Sequence, residues 1–203
     1  MSGNSANEAK AMPRVDRREF VRKLLSRLPE ALVVSGLGSA SYDVFAVGDR
    51  DTNYYLWGAM GGASSLGLGL ALAQPGRPVI VVTGDGEQLM GIGSLATIAV
   101  KRPSNLAIVV LDNGHYGETG MQRSHAGLGA DLVAVAKGFG IDDAFPIDSL
   151  SGHEGLARRI ESRDGPVFAR VFVEAKEVSR ALPPRDGPFI RNRFRAALGF
   201  KPF

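Results

Sequence analysis

The chain has 203 residues, 44% of them hydrophobic and 22% charged, with a formal net charge of +3 and no cysteine. That length suits one α/β domain with a sizeable core and leaves too little for two full domains. Without cysteine there is no disulfide framework, no thiolate metal site and no cysteine nucleophile, and a reducing cytoplasm is the expected location.

In chain order, residues 1–14 read as a polar, flexible leader without the apolar stretch of a secretory signal. Over 16–28, Phe20, Val21, Leu24, Leu25 and Leu28 recur at helical spacing, with Asp16 placed to cap the start and Pro29 to stop it. Residues 31–35 predict a buried strand, 41–47 a helix after the Gly36–Gly38 turn, and 54–57 a short aromatic strand. A glycine-containing helix over 61–73 follows, its small residues allowing close approach. Residues 78–83 form a near-continuous β-branched run, the pattern of a strand covered on both faces. Residues 95–101 predict a helix, 106–111 a second buried strand, 131–139 and 150–162 helices, and 167–173 a last strand. Strands alternating with helices imply a doubly wound, mainly parallel α/β sheet with helices on both faces. The domain is expected over 15–178. The basic, proline-containing tail of 179–203 is expected to wrap the domain or meet another subunit rather than to form core. No apolar run is long enough for a membrane span. The crowded tail arginines come without a nucleic-acid module, so neither a membrane nor nucleic acid is an expected partner.

The chemistry concentrates after the two strongest strands. The first runs into Gly84-Asp85-Gly86 and the second into Asp112-Asn113-Gly114. In an open parallel sheet, ligands bind beyond the carboxyl ends of the strands. A carboxylate and an amide oxygen converging there are hard ligands of the kind Mg2+ prefers. The glycines beside Asp85 let backbone N–H groups face an anion, helped by the dipole of a following helix. Either loop alone reads as a turn. Together, each after a buried strand, they point to a Mg2+–diphosphate site.

Residues 84–117, GDGEQLMGIGSLATIAVKRPSNLAIVVLDNGHYG, resemble the thiamine diphosphate motif, with Asn113 following Asp85 by 28 positions. Residues 54–72, YYLWGAMGGASSLGLGLAL, resemble the segment of the same family that receives the aminopyrimidine ring. Over about 30–175 the chain is similar to the pyrophosphate-binding domain of 2-oxoacid decarboxylases, in particular the sulfopyruvate and phosphonopyruvate decarboxylases. The resemblance implies that Asp85, Asn113 and the backbone carbonyl of His115 hold Mg2+. It implies that Gly84, Gly86 and Glu87, with the loop His115-Tyr116-Gly117, surround the diphosphate. Gly58 and Ala59 meet the aminopyrimidine, Met60 props the bent cofactor, and the turn from Gly36 offers Ser39 or Ser41 to the terminal phosphate. Asp112 replaces the family's usual first asparagine, and Glu87 would be unfavourable beside a diphosphate unless it points away or finds a basic partner. Glu118, His115 and His125 are the candidate acid–base groups. Arg123 could meet an anionic substrate group, and His153 reads as an exposed residue near a helix start. Nothing resembles the pyrimidine-binding domain that these enzymes also need. A separate partner subunit in a hetero-oligomer, α2β2 or larger, acting on a small 2-oxoacid, is therefore expected. The rival readings are a subunit of a carboligase or 2-oxoacid oxidoreductase with the same cofactor, and a non-catalytic structural or regulatory subunit.

Overall fold

In the computed structural model, which describes residues 14–201, the Asp16 carboxylate accepts the Glu19 backbone N–H at 2.9 Å and starts helix α1 (Arg17–Arg27). Helix α1 buries Phe20, Val21, Leu24 and Leu25, the stripe set by its 3.6-residue period. The chain then alternates: β1 (Leu32–Ser35), α2 (Ser39–Ala46), β2 (Asn53–Tyr55), α3 (Ala63–Ala73), β3 (Val79–Gly84), α4 (Asp85–Met90), α5 (Ser94–Lys101) and β4 (Leu106–Asp112). A small antiparallel pair, β5 (His115–Tyr116) and β6 (Gln122–Arg123), follows. After it come α6 (Leu132–Gly138), β7 (Asp143–Ile147), α7 (Gly152–Ser162), β8 (Val167–Phe172) and α8 (Gly187–Ala197).

The main sheet has six parallel strands in the order β2-β1-β3-β4-β8-β7. Successive strand residues face opposite ways, so Val33, Ile80, Val82, Val109 and Ala169 point to one cluster with α1, α2 and α7. Val34, Val79, Val81, Ile108 and Phe168 point to the other with α3, α5 and α6. This is the doubly wound α/β architecture expected from the alternation. Strand order reverses between β1 and β3, and this switch point opens a crevice at the carboxyl edge.

Three features depart from the sequence reading. Strand β7 occupies 143–147, where no element was expected; its burial is mixed and it carries Pro146, which an edge strand tolerates. The polar loop after β4 folds into the β5–β6 hairpin and two short 3-10 turns. The tail also contributes to the core. Helix α8 places Ile190 in one cluster and Phe194 in the other, both buried, with Phe194 edge-on to Tyr54 at 5.6 Å between ring centroids. It thereby covers the exposed side of β2, the edge of the sheet. Of the expected leader over 1–14, residues 1–13 lie outside the described residues, and Arg14 donates to the Val173 carbonyl at 3.0 Å.

Candidate functional site

Register alone brings the two loops together, because Gly84 at the end of β3 pairs with Leu111 at the end of β4. Asp85 therefore starts α4 beside Asp112, both buried. The neighbouring carboxylates have different partners. Asp112 accepts the Gly114 N–H at 2.8 Å and pairs with Arg170 from β8 at 2.6 Å. Asp85 accepts a hydrogen bond from the buried Ser124 hydroxyl and has no ion-pair partner among the described residues. Burial first, and then the Asp112 charge, push the Asp85 carboxyl up to about 6, against the Ser124 hydrogen bond. Asn113 turns the chain by accepting the His115 N–H on its side-chain oxygen at 2.8 Å, which leaves that oxygen a second lone pair. His115 Nδ1 lies 2.8 Å from the Asn113 carbonyl. A carbonyl can only accept, so Nδ1 is the donor of this bond.

Asp85, Asn113 and His115 line one cavity of about 150 Å³, together with Leu37, Ser39, Met60, Gly86, Glu87, Tyr116, Gly117 and Glu118, while Asp112, Ser124 and Arg170 stand behind its wall. Among the described residues, the Asp85 carboxylate is buried without an ion-pair partner and shares the cavity with the Asn113 amide oxygen, two hard oxygen donors that fit a divalent cation, although no cluster of three or more His, Cys, Asp or Glu stands there. The N-terminus of α4 adds N–H groups at the same edge. Gly86 is required by shape, since a Cβ there would fall 2.2 Å from the Tyr116 ring.

The structure separates the remaining candidates. Ser39 lines the cavity, whereas Ser41 is buried beneath it, donating to the Gly36 carbonyl at 2.6 Å and sharing a hydrogen bond with Ser35. Gly36 faces Glu87 and does not line the cavity. Gly58 and Ala59 are exposed outside it, while Met60, 37% exposed, reaches in. Among the described residues, Glu87 has no basic partner. It accepts from Leu37 N at 3.1 Å and Thr83 Oγ1 at 2.8 Å, so its carboxylate ties α4 to the β1–α2 turn. Burial outweighs both bonds and raises its pKa. His125 is exposed and outside the cavity, because its turn directs its carbonyl to Leu128 and Ala130 instead. Arg123 is exposed and bound to the Gly127 carbonyl. His153 sits in the first turn of α7, Nδ1 2.7 Å from the Leu150 carbonyl.

Glu118 also lines a second cavity, of about 350 Å³, that shares Arg17, Ser39, Asn113 and Gly117 with the first and is closed by residues 176–180. There Glu118 lies 3.4 Å from the Tyr42 hydroxyl and 3.5 Å from Arg180. Arg17 and Arg180 are among the wall residues that local sequence reading missed. Their placement depends on contacts distant in sequence, to Asp43 and Glu118.

Comparison with known proteins places this geometry in a family. Residues 38–171 match the model described as "Thiamine pyrophosphate enzyme, C-terminal TPP binding domain". The chain belongs to the thiamine pyrophosphate enzyme family. Within it, the chain is 39% identical over 180 residues to the sulfopyruvate decarboxylase subunit beta of Methanothermobacter thermautotrophicus, covering 89% of this chain and 94% of that subunit. It is 37% identical over 199 residues to the phosphonopyruvate decarboxylase of Streptomyces viridochromogenes, covering 97% of this chain and 50% of the relative. The chain thus spans about half the length of that relative. The 4-hydroxybenzoylformate decarboxylase structure from Rhodococcus jostii RHA1 matches 87% of this chain and 36% of its own, with TM-score 0.69 and 20% identity, a likeness of fold.

Proposed function

We propose that this chain is the β-type subunit of a split, Mg2+-dependent thiamine diphosphate 2-oxoacid decarboxylase, with its active site shared with a separate pyrimidine-domain subunit. The observation that carries this reading is the buried Asp85 carboxylate, without a counter-ion among the described residues, in one cavity with Asn113 and His115. The near-complete coverage of a relative named as a decarboxylase β subunit supports the split arrangement.

When bound, thiamine diphosphate supplies a nucleophilic carbon and an electron sink for loss of CO2. This chain's part is to hold and shield. Asp85, the Asn113 side-chain oxygen and the His115 carbonyl would hold Mg2+, and N–H groups of Gly86 and Glu87 would meet the diphosphate. Ser39, rather than the internally bonded Ser41, offers its hydroxyl to a phosphate oxygen. Met60, which reaches into the cavity, would support the cofactor, and the exposed Gly58 and Ala59 would meet its aminopyrimidine. Glu118 moves a proton on the substrate side, where Tyr42 and Arg180 hold its carboxylate. His115 Nε2 is the second base.

CO2 release from a panel of small 2-oxoacids tests the proposal, assayed with the chain alone and with the pyrimidine-domain subunit. Turnover is expected only for the pair. Full turnover by the purified chain alone contradicts the split site.

A further inference from the structure

The two buried aspartates at the carboxyl edge of the sheet are held by different chemistry. Asp112 meets a guanidinium, which fixes its carboxylate and also cancels its charge. Asp85 meets a hydroxyl. Ser124, fully buried, directly follows β6 and donates to Asp85 Oδ2. The Gly127 N–H, 3.2 Å from Ser124 Oγ, occupies a lone pair there, so the single hydroxyl hydrogen goes to the carboxylate. Among the described residues no other side chain hydrogen-bonds to Asp85. Asp85 lines the smaller cavity and Ser124 does not, so the bond reaches the carboxylate from behind the wall. The Ser124 backbone serves the neighbouring turn. Its N–H donates to the Gly114 carbonyl at 2.9 Å, and Gly127 packs so closely that a Cβ on it would fall 2.3 Å from the Gly114 oxygen. One residue thus holds Asp85 with its side chain and the Asn113-Gly114 turn with its backbone.

We propose that Ser124 is a positioning residue for the divalent cation: its hydroxyl fixes one oxygen of Asp85 from behind and leaves the carboxylate's charge and its other oxygen for the metal. This rests on reading Asp85 as a metal ligand. A serine that needs only a partner can bond back to a carbonyl of its own turn, as the half-buried Ser94 does to Gly91 at 2.7 Å. Ser124 reaches instead across to the end of another strand, 39 positions away. An arginine in its place, standing to Asp85 as Arg170 stands to Asp112, would hold the carboxylate as firmly but neutralise the charge that a cation requires. A hydroxyl gives direction without cancelling charge. Hydrogen bonds of this kind to a ligating side chain are worth about 10- to 100-fold in metal affinity, because the ligand is already ordered when the metal arrives.

Calorimetric titration of Mg2+ into the chain with its pyrimidine-domain subunit, at a fixed excess of thiamine diphosphate, tests this. Thermal unfolding without ligands, followed by circular dichroism, reports the stability of each variant separately. Ser124→Ala keeps the backbone bond to Gly114 and is expected to raise the half-saturating Mg2+ concentration by about 10- to 100-fold. Ser124→Thr retains the hydroxyl and stays near the wild type. Ser124→Cys, a weaker donor of similar shape, falls between them and decides the matter if the alanine variant does not fold. An unchanged half-saturation in folded Ser124→Ala or Ser124→Cys overturns the proposal, as does an equal loss in Ser124→Thr. A lower unfolding temperature with unchanged Mg2+ affinity marks a purely structural serine and overturns it too. A wild type whose cofactor binding ignores Mg2+ overturns the metal reading itself, an outcome distinct from any difference among the variants.

Discussion

Glu87 is a carboxylate one residue beyond the Gly84-Asp85-Gly86 turn, and its hydrogen bonds explain how it is tolerated there. Its carboxylate is a buried double acceptor for Leu37 N–H and the Thr83 hydroxyl. Gly36 gives it room, since a methyl there would fall 1.8 Å from Glu87 Oε2. Glu87→Ala removes an acceptor from two buried donors, each worth about 1–3 kcal/mol when left unsatisfied, offset in part by no longer burying a charge. The expected loss is about 2 kcal/mol in urea unfolding. A gain in stability would mean that the buried charge outweighs its bonds. Asp85, Asn113, His115 and the glycines between them were legible in the sequence because short loops after parallel strands have few places to go. Ser39 against Ser41 was not legible: helix α2 starts at Ser39, and that start decides which hydroxyl faces out. His125 is displaced from the cavity by the hairpin and turn that precede and contain it, whose two-residue strands carry too little pattern to read.

At the scale of elements, the long amphipathic stretches were readable and the short or composite ones were not. Helix α1 was framed by Asp16, whose pKa is lowered, first by the Glu19 N–H and then by the Lys176 hydrogen bond. A depressed pKa means that the cap contributes its stability above the unfolded value of 3.8 and loses it as pH falls below that value. Asp16→Ala is expected to cost about 1 kcal/mol near neutral pH and progressively less on acidification, measured by chemical denaturation across pH 3–7. A pH-independent cost would remove the carboxylate from the explanation. Helix α8 escaped the sequence reading because three prolines and a crowd of arginines obscure its period. Asp186 nevertheless caps it, accepting the Phe189 N–H at 3.0 Å, with Pro188 in its first turn. Phe194→Ala should destabilise the protein by about 3–5 kcal/mol, the usual range for emptying a buried aromatic site. A loss below about 1 kcal/mol would show that the tail lies on the domain without contributing to its core.

For the whole molecule, sheet topology decides where chemistry can occur. Reversal of strand order between β1 and β3 opens the crevice, and the β3–β4 register places Asp85 and Asp112 side by side at its floor. Arg170 neutralises Asp112 and leaves Asp85 as the carboxylate still seeking a cation. That division of labour came from a strand more than fifty residues downstream and could not be read locally. The segment joining β8 to α8 closes the second cavity and is latched by Trp57 Nε1 donating to the Pro184 carbonyl at 2.8 Å and by Arg18 on Ser179. On the proposed reading, Asp85 holds the metal end of thiamine diphosphate. Titrating the cofactor into the protein with Mg2+ and then with a chelator, for wild type and Asp85→Ala, tests it most directly. Binding should require Mg2+ and weaken by more than about 100-fold in Asp85→Ala, beyond the usual cost of losing only a supporting contact around a metal. Equal affinity in the folded variant, or binding indifferent to Mg2+, would contradict it.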